Sequence, residues 1–180
     1  VSMDKAMAKQ VAGSFGIPQA RHVSLRADAI GPGTPASLAD QLGLPVFVKP
    51  ANMGSSIGIS KVDARSELRA AIDDALRYDE WLVFEEGVVG REIEVAVLGH
   101  TTSPRASVPG EIVASAEFYD FEDKYATGAA QLHIPAALSD EEATEVRELA
   151  CRVFRAYRAE GLSRVDFFFE STGRGWLLNE

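Results

Sequence analysis

Hydrophobic and polar positions along the chain predict short strands interspersed with amphipathic helices. Residues 91–98 alternate, with Ile93, Val95 and Val97 on one face and Glu92 and Glu94 on the other, which is the pattern of a half-buried strand. Further strands are predicted at 46–49, 57–62, 81–84, 162–169 and 176–178, and helices at 4–15, 37–42, 63–76 and 139–161. Because helices and strands alternate irregularly and short turns join several strands, the pattern predicts an α+β fold.

Two local signals sharpen this outline. Ser139 and Glu142 have the spacing of a capping box at the start of the last helix, and Asp63 is a candidate cap for an earlier one. By contrast, residues 101–130 have little periodicity. A segment of that length favours a functional loop over a linker.

Composition narrows the class of protein. A chain of 180 residues with 46% hydrophobic content can build one ordinary core or two small ones. Its net charge of −9 argues against a general nucleic-acid or membrane surface. The lone Cys151, predicted to be buried, cannot form an internal disulfide, which fits a reducing cytosol. Since the chain opens at Val1 and stops at Glu180, beside an apolar run, we expect a fragment of a longer protein.

The strand at 46–49 ends in Lys49, and a loop containing Gly54, Ser55, Ser56 and Gly58 follows almost at once. A cation on a rigid element beside a backbone free to turn its N–H groups inward suits a phosphate. The loop is not a P-loop, in which the lysine directly follows the second glycine. The pattern therefore predicts a nucleotide site of another architecture.

Two carboxylates dominate the C-terminal part. Asp166 lies in an aromatic strand, and Glu180 follows the partner strand. Carboxylates on adjacent strands suit Mg²⁺ that bridges nucleotide phosphates. An ion pair between Asp166 and Arg164, two residues earlier on the same face, explains Asp166 equally well, and both interpretations stay open here.

Weaker candidates lie between these segments. Glu85 leaves a buried strand and is suited to accept from an adenine amino group or a ribose hydroxyl, and Glu92 is suited to hold a ribose, although solvated glutamates are common at such positions. Residues 118–125 are rich in aromatic and charged side chains. They fit a lid that brings Lys124 and Tyr125 over a site and excludes water, or an Ω-loop packed on its own aromatics.

Six segments occur in a characteristic order: Ser2-Met3-Asp4-Lys5, Val48-Lys49-Pro50, the loop and strand at 54–62, the aromatic segment 118–125, Arg164-Val165-Asp166 and Asn179-Glu180. Together they closely resemble the D-alanine–D-alanine ligases of the ATP-grasp superfamily. The resemblance extends over essentially the whole chain. It implies an α+β ATP-grasp fold, with a central subdomain over 1–92 and a truncated C-terminal catalytic and metal-binding subdomain over 93–180.

The resemblance also implies a nucleotide site. Lys5 and Lys49 would contact the ATP phosphates, and Glu85, Val88 and Glu92 the adenine and ribose. The remaining implied nucleotide contacts are Phe118 and Phe168 about the base and Lys124 at the γ-phosphate.

Metal and substrate residues follow from the same resemblance. Asp166 and Glu180 would hold Mg²⁺, with Mn²⁺ as the other candidate ion. Arg164 would steady an acyl phosphate and its tetrahedral successor. Ser55 and Tyr125 would couple the glycine-serine loop to the lid over the D-alanine site. Ser56 would add polar contacts to bound ligand.

The implied function is ATP- and Mg²⁺-dependent ligation of two D-alanines for cell-wall peptidoglycan precursors, in the cytoplasm, without nucleic-acid or membrane partners. The resemblance extends to a homodimeric full-length parent. D-Alanine–D-lactate ligation and a non-catalytic nucleotide-binding module are the alternatives, although Tyr125 argues for the dipeptide. The family's N-terminal domain and a final metal-binding asparagine are not in these 180 residues, so we expect the chain alone to be inactive.

Overall fold

The computed structural model describes residues 1–113 and 131–180. Its helices are α1 (Lys5–Ser14), α2 (Thr34–Leu42), α3 (Leu68–Ala75) and α4 (Asp140–Ala156). Its strands are β1 (His22–Arg26), β2 (Val46–Pro50), β3 (Ser60–Val62), β4 (Trp81–Glu86), β5 (Arg91–Gly99), β6 (Arg105–Ala106), β7 (Gly110–Val113), β8 (Gln131–His133), β9 (Gly161–Glu170) and β10 (Gly175–Leu178). These residues divide into a first unit, 1–7 with 20–88, and a second unit, 8–19 with 89–180. Within the described ranges, every helix is too short or too polar to cross a membrane.

In the first unit an antiparallel sheet has the strand order β1-β4-β2-β3. The period-two pattern of β2 buries Val46 and Val48 on one face. Helices α2 and α3 cover that face, and their Leu42, Leu68 and Ile72 join the strand residues in one apolar core. The opposite face carries Lys49 and Phe47, and its Val83 is buried with Ala6 and Ala51 in a small cluster.

Arg21 ties this sheet to α2. Its backbone N–H and its Nε donate to the two carboxylate oxygens of Glu86 at 2.8 and 2.6 Å. Its Nη2 donates to the carbonyl of Leu42, at the end of α2, at 2.9 Å. The contact satisfies Glu86, which is buried at the end of β4, as a buried charge requires.

In the second unit the antiparallel order is β10-β9-β5-β7-β8, with β6 also paired to β5. Strand β9 alternates, so Val165, Phe167 and Phe169 are buried. They pack with the apolar face of α4 in one core, where Trp176 of β10 stacks on Phe169 with ring centroids 4.1 Å apart. The other face of β9 carries polar side chains.

The predicted capping box of α4 is confirmed. Ser139 Oγ accepts from the Glu142 N–H at 3.2 Å, and the Glu142 carboxylate accepts from the Ser139 N–H at 2.7 Å. That backbone hydrogen bond, followed by the one from the Ser139 hydroxyl, lowers the pKa of Glu142. Just past the other end of the helix, Tyr157 donates its hydroxyl hydrogen to the Ala8 carbonyl at 2.9 Å, and burial raises its pKa to about 12.

Other sequence-based expectations were wrong or incomplete. Asp63 does not cap a helix, because a 3₁₀ turn at Arg65–Glu67 precedes α3 and Asp63 instead pairs with Lys61 at 3.5 Å. The strand predicted at 57–62 covers only Ser60–Val62. Cys151 is half-buried instead of buried. Strands β1, β6, β7 and β8 were not predicted, and the subdomain boundary after residue 92 stays a prediction.

Replacing Arg174 with glutamine is expected to raise the pKa of Glu170 from about 2 part of the way to its ordinary value. That pKa is low mainly because the Arg174 side chain donates hydrogen bonds to the Glu170 carboxylate across the β9–β10 turn. The backbone N–H of Arg174 donates a further hydrogen bond and is the second cause. Since the folded-state pKa lies below the unfolded one, the associated stability is present above the unfolded value and is lost as the pH falls toward about 2. Carbon-13 NMR titration measures the shift, and identical midpoints in both proteins would contradict it.

Candidate active site

Lys49 and Glu85 face each other on the side of the first sheet that α2 and α3 leave open. Pairing of β2 with β4 sets Phe47 opposite Glu85 and Lys49 opposite Val83, so all four share one face. Lys49 Nζ lies 3.1 Å from Glu85 Oε2, with side chains 12% and 3% exposed. The ammonium also lies 5.9 Å from the Phe47 ring centroid. A largely desolvated cation is thus held on a rigid strand, where its charge acts strongly on an anion.

Lys5 lies beside the glycine-serine loop of the same unit. Its Nζ donates to the Met53 carbonyl at 2.5 Å, and its backbone N–H donates to the Ala51 carbonyl at 2.9 Å. Asp4 Oδ1 accepts from the Met7 N–H at 3.0 Å at the start of α1, as an N-cap does. The helix start therefore fixes a second cation next to the loop that follows Lys49.

The loop itself holds an unusual backbone. Ser55 and Ser56 have φ values of 53° and 59°, in the left-handed region that non-glycine residues rarely adopt. Gly58 has a φ of 72°, and a Cβ there would approach Tyr78 and Pro50 to 2.7 and 2.8 Å. Backbone strain of this kind concentrates at ligand-binding sites. Ser55 is exposed and Ser56 half-buried, so this strained stretch lies at the surface of the first unit.

The two glutamates that end β4 point to different partners. Glu85 lies beside Lys49, whereas Glu86 binds Arg21 on the helix-covered side. Val88 follows β4 and is half-buried. Of the two glutamates, only Glu85 belongs to the candidate site.

One face of the second sheet gathers the remaining described candidates. Pairing of β5 with β9 sets Glu92 opposite Phe168 and Glu94 opposite Asp166. These side chains are half-buried on the face opposite the core. Arg164 lies on that face too, two residues from Asp166 along β9.

Arg164 and Asp166 form the ion pair that the sequence left open. Arg164 Nε and Nη2 donate to the two Asp166 oxygens, both at 2.7 Å, and Nε lies 3.4 Å from Glu94 Oε2. The fork is bidentate, the arrangement that guanidinium and carboxylate favour. Asp166 therefore orients Arg164 in this structure.

Glu180 lies next to Asp166 through the backbone. The Asp166 N–H donates to the Glu180 carbonyl at 2.8 Å, and the Asn179 N–H donates to the Asp166 carbonyl at 2.8 Å. No group of three or more His, Cys, Asp and Glu within 1–113 and 131–180 is arranged to hold a metal ion. Mg²⁺ bound to a nucleotide needs only one or two protein carboxylates, because phosphates and waters complete its shell. Asp166 and Glu180, whose backbones are hydrogen-bonded, supply the number and kind of carboxylates that such an ion needs.

Phe118, Lys124 and Tyr125 lie outside the described residues, so the lid assigned to them stays a prediction. Three contacts at the site were not foreseen, and the first is the one between Lys49 and Glu85. Phe47 beside Lys49 was recognisable by its position two residues earlier on the same strand. The contact of Glu94 with Arg164 could not be recognised from the sequence, because it depends on strand register.

The chain consists of two α+β units, each with an antiparallel sheet. The first carries the desolvated Lys49, and the second carries the face with Arg164 and Asp166. Solved structures of the ATP-grasp class match nearly the whole chain, which defines its fold. A family model described as "D-ala D-ala ligase C-terminus" matches residues 11–180. The chain belongs to this family.

Two curated relatives illustrate the similarity. The chain is 46% identical over 181 residues to the D-alanine–D-alanine ligase of Bacillus pumilus (strain SAFR-032), covering 99% of the chain and 50% of the relative. It is 46% identical over 183 residues to that of Chlorobaculum parvum (strain DSM 263 / NCIMB 8327), covering 100% and 50%. The chain thus spans about half the length of the curated relatives it matches.

Two solved structures are similar as well. The D-alanine-D-alanine ligase from Coxiella burnetii matches with a TM-score of 0.82 and 31% identity, over 99% of this chain and 46% of that one. The VanG D-Ala:D-Ser ligase from Enterococcus faecalis matches with a TM-score of 0.85 and 31% identity, over 99% and 51%. The predicted α+β ATP-grasp class is therefore confirmed.

Proposed function

We propose that this chain forms the nucleotide-binding half of an ATP- and Mg²⁺-dependent D-alanine–D-alanine ligase that supplies cell-wall precursors. One observation carries the proposal: ligases with this activity in their names are 43–46% identical over 98–100% of the chain. The desolvated Lys49 and the Arg164 face support it, because they supply the charges that the reaction needs. We also propose a cytoplasmic homodimer for the full-length protein.

The proposed nucleotide contacts begin with two lysines. Lys49, held 3.1 Å from Glu85, and Lys5, held at the loop after β2, contact the phosphates of ATP. Compact ammonium groups suit phosphate oxygens whose charge changes during reaction. Glu85 and Val88 contact the adenine. Glu92 contacts the ribose, and Phe168 packs against the base together with Phe118, while Lys124 reaches the γ-phosphate.

Asp166 and Glu180 are the proposed metal ligands. Bound Mg²⁺ would neutralise the charge that develops on the phosphates during transfer. A carboxylate that binds a metal gives up part of its hydrogen bonding to Arg164. The guanidinium is then available to the substrate, while Glu94, 3.4 Å away, continues to orient it.

The proposed reaction consists of two steps. The carboxylate of the first D-alanine attacks the γ-phosphorus of ATP, the bond to ADP breaks, and an acyl phosphate forms. The amine of the second D-alanine then attacks the carbonyl carbon and loses a proton, and inorganic phosphate leaves with formation of the peptide bond. Arg164 stabilises the oxyanion. Ser55, Ser56 and Tyr125 position D-alanine, and Tyr125 and Lys124 belong to a lid that excludes water.

A D-Ala:D-Ser ligase is the second candidate, because a structure with that activity in its title matches this chain with a TM-score of 0.85. Its identity of 31% equals that of the D-alanine-D-alanine ligase from Coxiella burnetii. The relatives that are 43–46% identical are all named D-alanine–D-alanine ligases, which favours D-alanine as the second substrate. D-lactate, a hydroxyl nucleophile, remains the alternative that the lid tyrosine argues against.

Phosphate release by the natural full-length protein with Mg²⁺-ATP tests the proposal. D-alanine is supplied alone, with D-serine or with D-lactate, and the products are identified by mass spectrometry. We expect release with D-alanine alone and a D-alanyl-D-alanine product, while a Lys124→Ala control is inactive. Release that requires D-serine or D-lactate would overturn the substrate assignment, and no release under any condition would overturn the ligase itself.

A further inference from the structure

A groove between β6 and α4 of the second unit gathers arginines that the proposed reaction does not use. It encloses about 740 Å³, a volume typical of small-molecule sites. Its charged lining consists of Arg105, Arg147, Arg152 and Arg155, with Glu148 as the one acid, and Cys151 lies among them. Because α4 packs on the core face of the sheet, the groove lies on the opposite side from Arg164 and Asp166.

The charge of this groove is opposite to that of the chain. The chain has 27 acidic and 18 basic residues, yet the groove has four arginines and one glutamate. Eight of the thirteen arginines form ion pairs with carboxylates within 1–113 and 131–180. The four groove arginines have no carboxylate partner in those same ranges. Although the chain as a whole is acidic, this groove therefore collects four cations without an ion-pair partner there.

Two separate elements bring these cations together. Arg147, Cys151 and Arg155 follow each other at four-residue spacing, which places them in one row on α4. Arg105 comes from β6, which pairs with the end of β5. Arg147 donates to the Ala106 carbonyl at 3.3 Å, and Cys151 Sγ lies 3.9 Å from the Pro104 carbonyl. These contacts fix the helix against the strand that supplies the fourth arginine.

The helix dipole does not account for the whole cluster. Cations favour the last turn of a helix, which explains Arg155 and in part Arg152. Arg147 lies in the middle of α4, and Arg105 is not on a helix at all. Since neighbouring like charges destabilise a fold, the arrangement calls for a counter-charge.

We propose that this groove binds a small molecule that carries two or more phosphate or carboxylate groups. Guanidinium forks bind such groups in a bidentate manner. A chain with a net charge of −9 repels an extended nucleic acid, which favours a compact polyanion. The proposal stands apart from the ligase function, because the groove and the Arg164 face are on opposite sides of the sheet.

Alkylation of Cys151 tests the proposal locally. The natural full-length protein is treated with iodoacetamide, a neutral reagent, and modification of Cys151 is measured by peptide mass spectrometry. Pyrophosphate and citrate are the probes, in the absence of ATP, D-alanine and Mg²⁺, with sodium chloride at matched ionic strength as the control. At a probe concentration of about five times the dissociation constant, we expect about sixfold slower alkylation.

Variants assign the protection to the groove. The double variant Arg152→Gln with Arg155→Gln is expected to abolish it, and the single variant Arg105→Gln, on another element, to weaken it. Glu148→Gln, which removes the one acid, is expected to strengthen it. Equal melting temperatures and circular dichroism spectra establish that each variant is folded, and protection in each variant is measured against its own alkylation rate without probe, because nearby cations change thiol reactivity.

Either of two results would overturn the proposal: no protection by pyrophosphate or citrate, even if an acidic peptide or an oligonucleotide protects, or protection that persists in both arginine variants. Because nucleotide and substrate are absent from the assay, none of these results bears on the ligase function.

Discussion

Replacing Lys49 with methionine in the natural full-length protein is expected to slow D-alanine-dependent phosphate release by about a hundredfold or more. A rate loss of this size is usual when an enzyme loses one preorganised charge that stabilises the transition state. Lys49 is 12% exposed and fixed on β2, so neither water nor another side chain of that strand replaces it. The change also removes the ammonium 3.1 Å from the buried Glu85. We therefore expect the free energy of unfolding to fall, by an amount on the order of 3 kcal/mol.

Two further variants separate these effects. Lys49→Arg keeps a cation opposite Glu85, so it is expected to recover most of the stability but not the activity, because a planar guanidinium cannot replace a compact ammonium. Arg69→Met removes an ion-paired cation from α3 of the same unit and is expected to leave phosphate release unchanged. A folded Lys49→Met protein as active as Arg69→Met would contradict the role of Lys49.

Replacing Arg164 with alanine is expected to lower kcat by about a hundredfold while changing the KM for ATP little. The proposed role of Arg164 begins only after ATP has bound, when negative charge forms on the acyl phosphate and its tetrahedral successor. Its guanidinium is 56% exposed and outside the core, so the fold is expected to tolerate the change. Steady-state kinetics with ATP and D-alanine measure both constants.

Arg174→Ala provides the matched control, because Arg174 also lies on the β9–β10 hairpin and also pairs with a carboxylate. It is expected to retain wild-type kcat. Arg164→Lys keeps the charge but loses the bidentate fork to Asp166, and an intermediate kcat is expected. If Arg164→Ala and Arg174→Ala were equally active, Arg164 would have no part in the reaction.

The sequence predicted those parts of the fold whose signals are local. The alternation in β5, the strand β9 and the capping box of α4 depend on neighbouring residues, and each was recovered. Strand β1 was missed because its five residues are stabilised by pairing with β4, far along the chain. Strands β6 and β7 are short and lie in a segment without periodicity, where pairing with β5, and for β7 also with β8, defines them.

The same distinction applies to the candidate site. The Arg164–Asp166 pair was one of the two interpretations that the sequence left open, and it could be named because two residues on one strand face are close. The contact between Lys49 and Glu85 was not foreseen, because it depends on the register that sets Phe47 opposite Glu85. Register is a property of whole strands and their cores, and no single motif encodes it.

A crystal structure of the natural full-length protein with Mg²⁺ and a non-hydrolysable ATP analogue is the most direct test of the account. It is expected to show the phosphates within hydrogen-bond distance of Lys5 and Lys49, the adenine beside Glu85, and the metal bound by Asp166 and Glu180. The central claim is that these residues form the ATP site. It would be contradicted if the nucleotide bound elsewhere and Lys49 still contacted Glu85 and no phosphate.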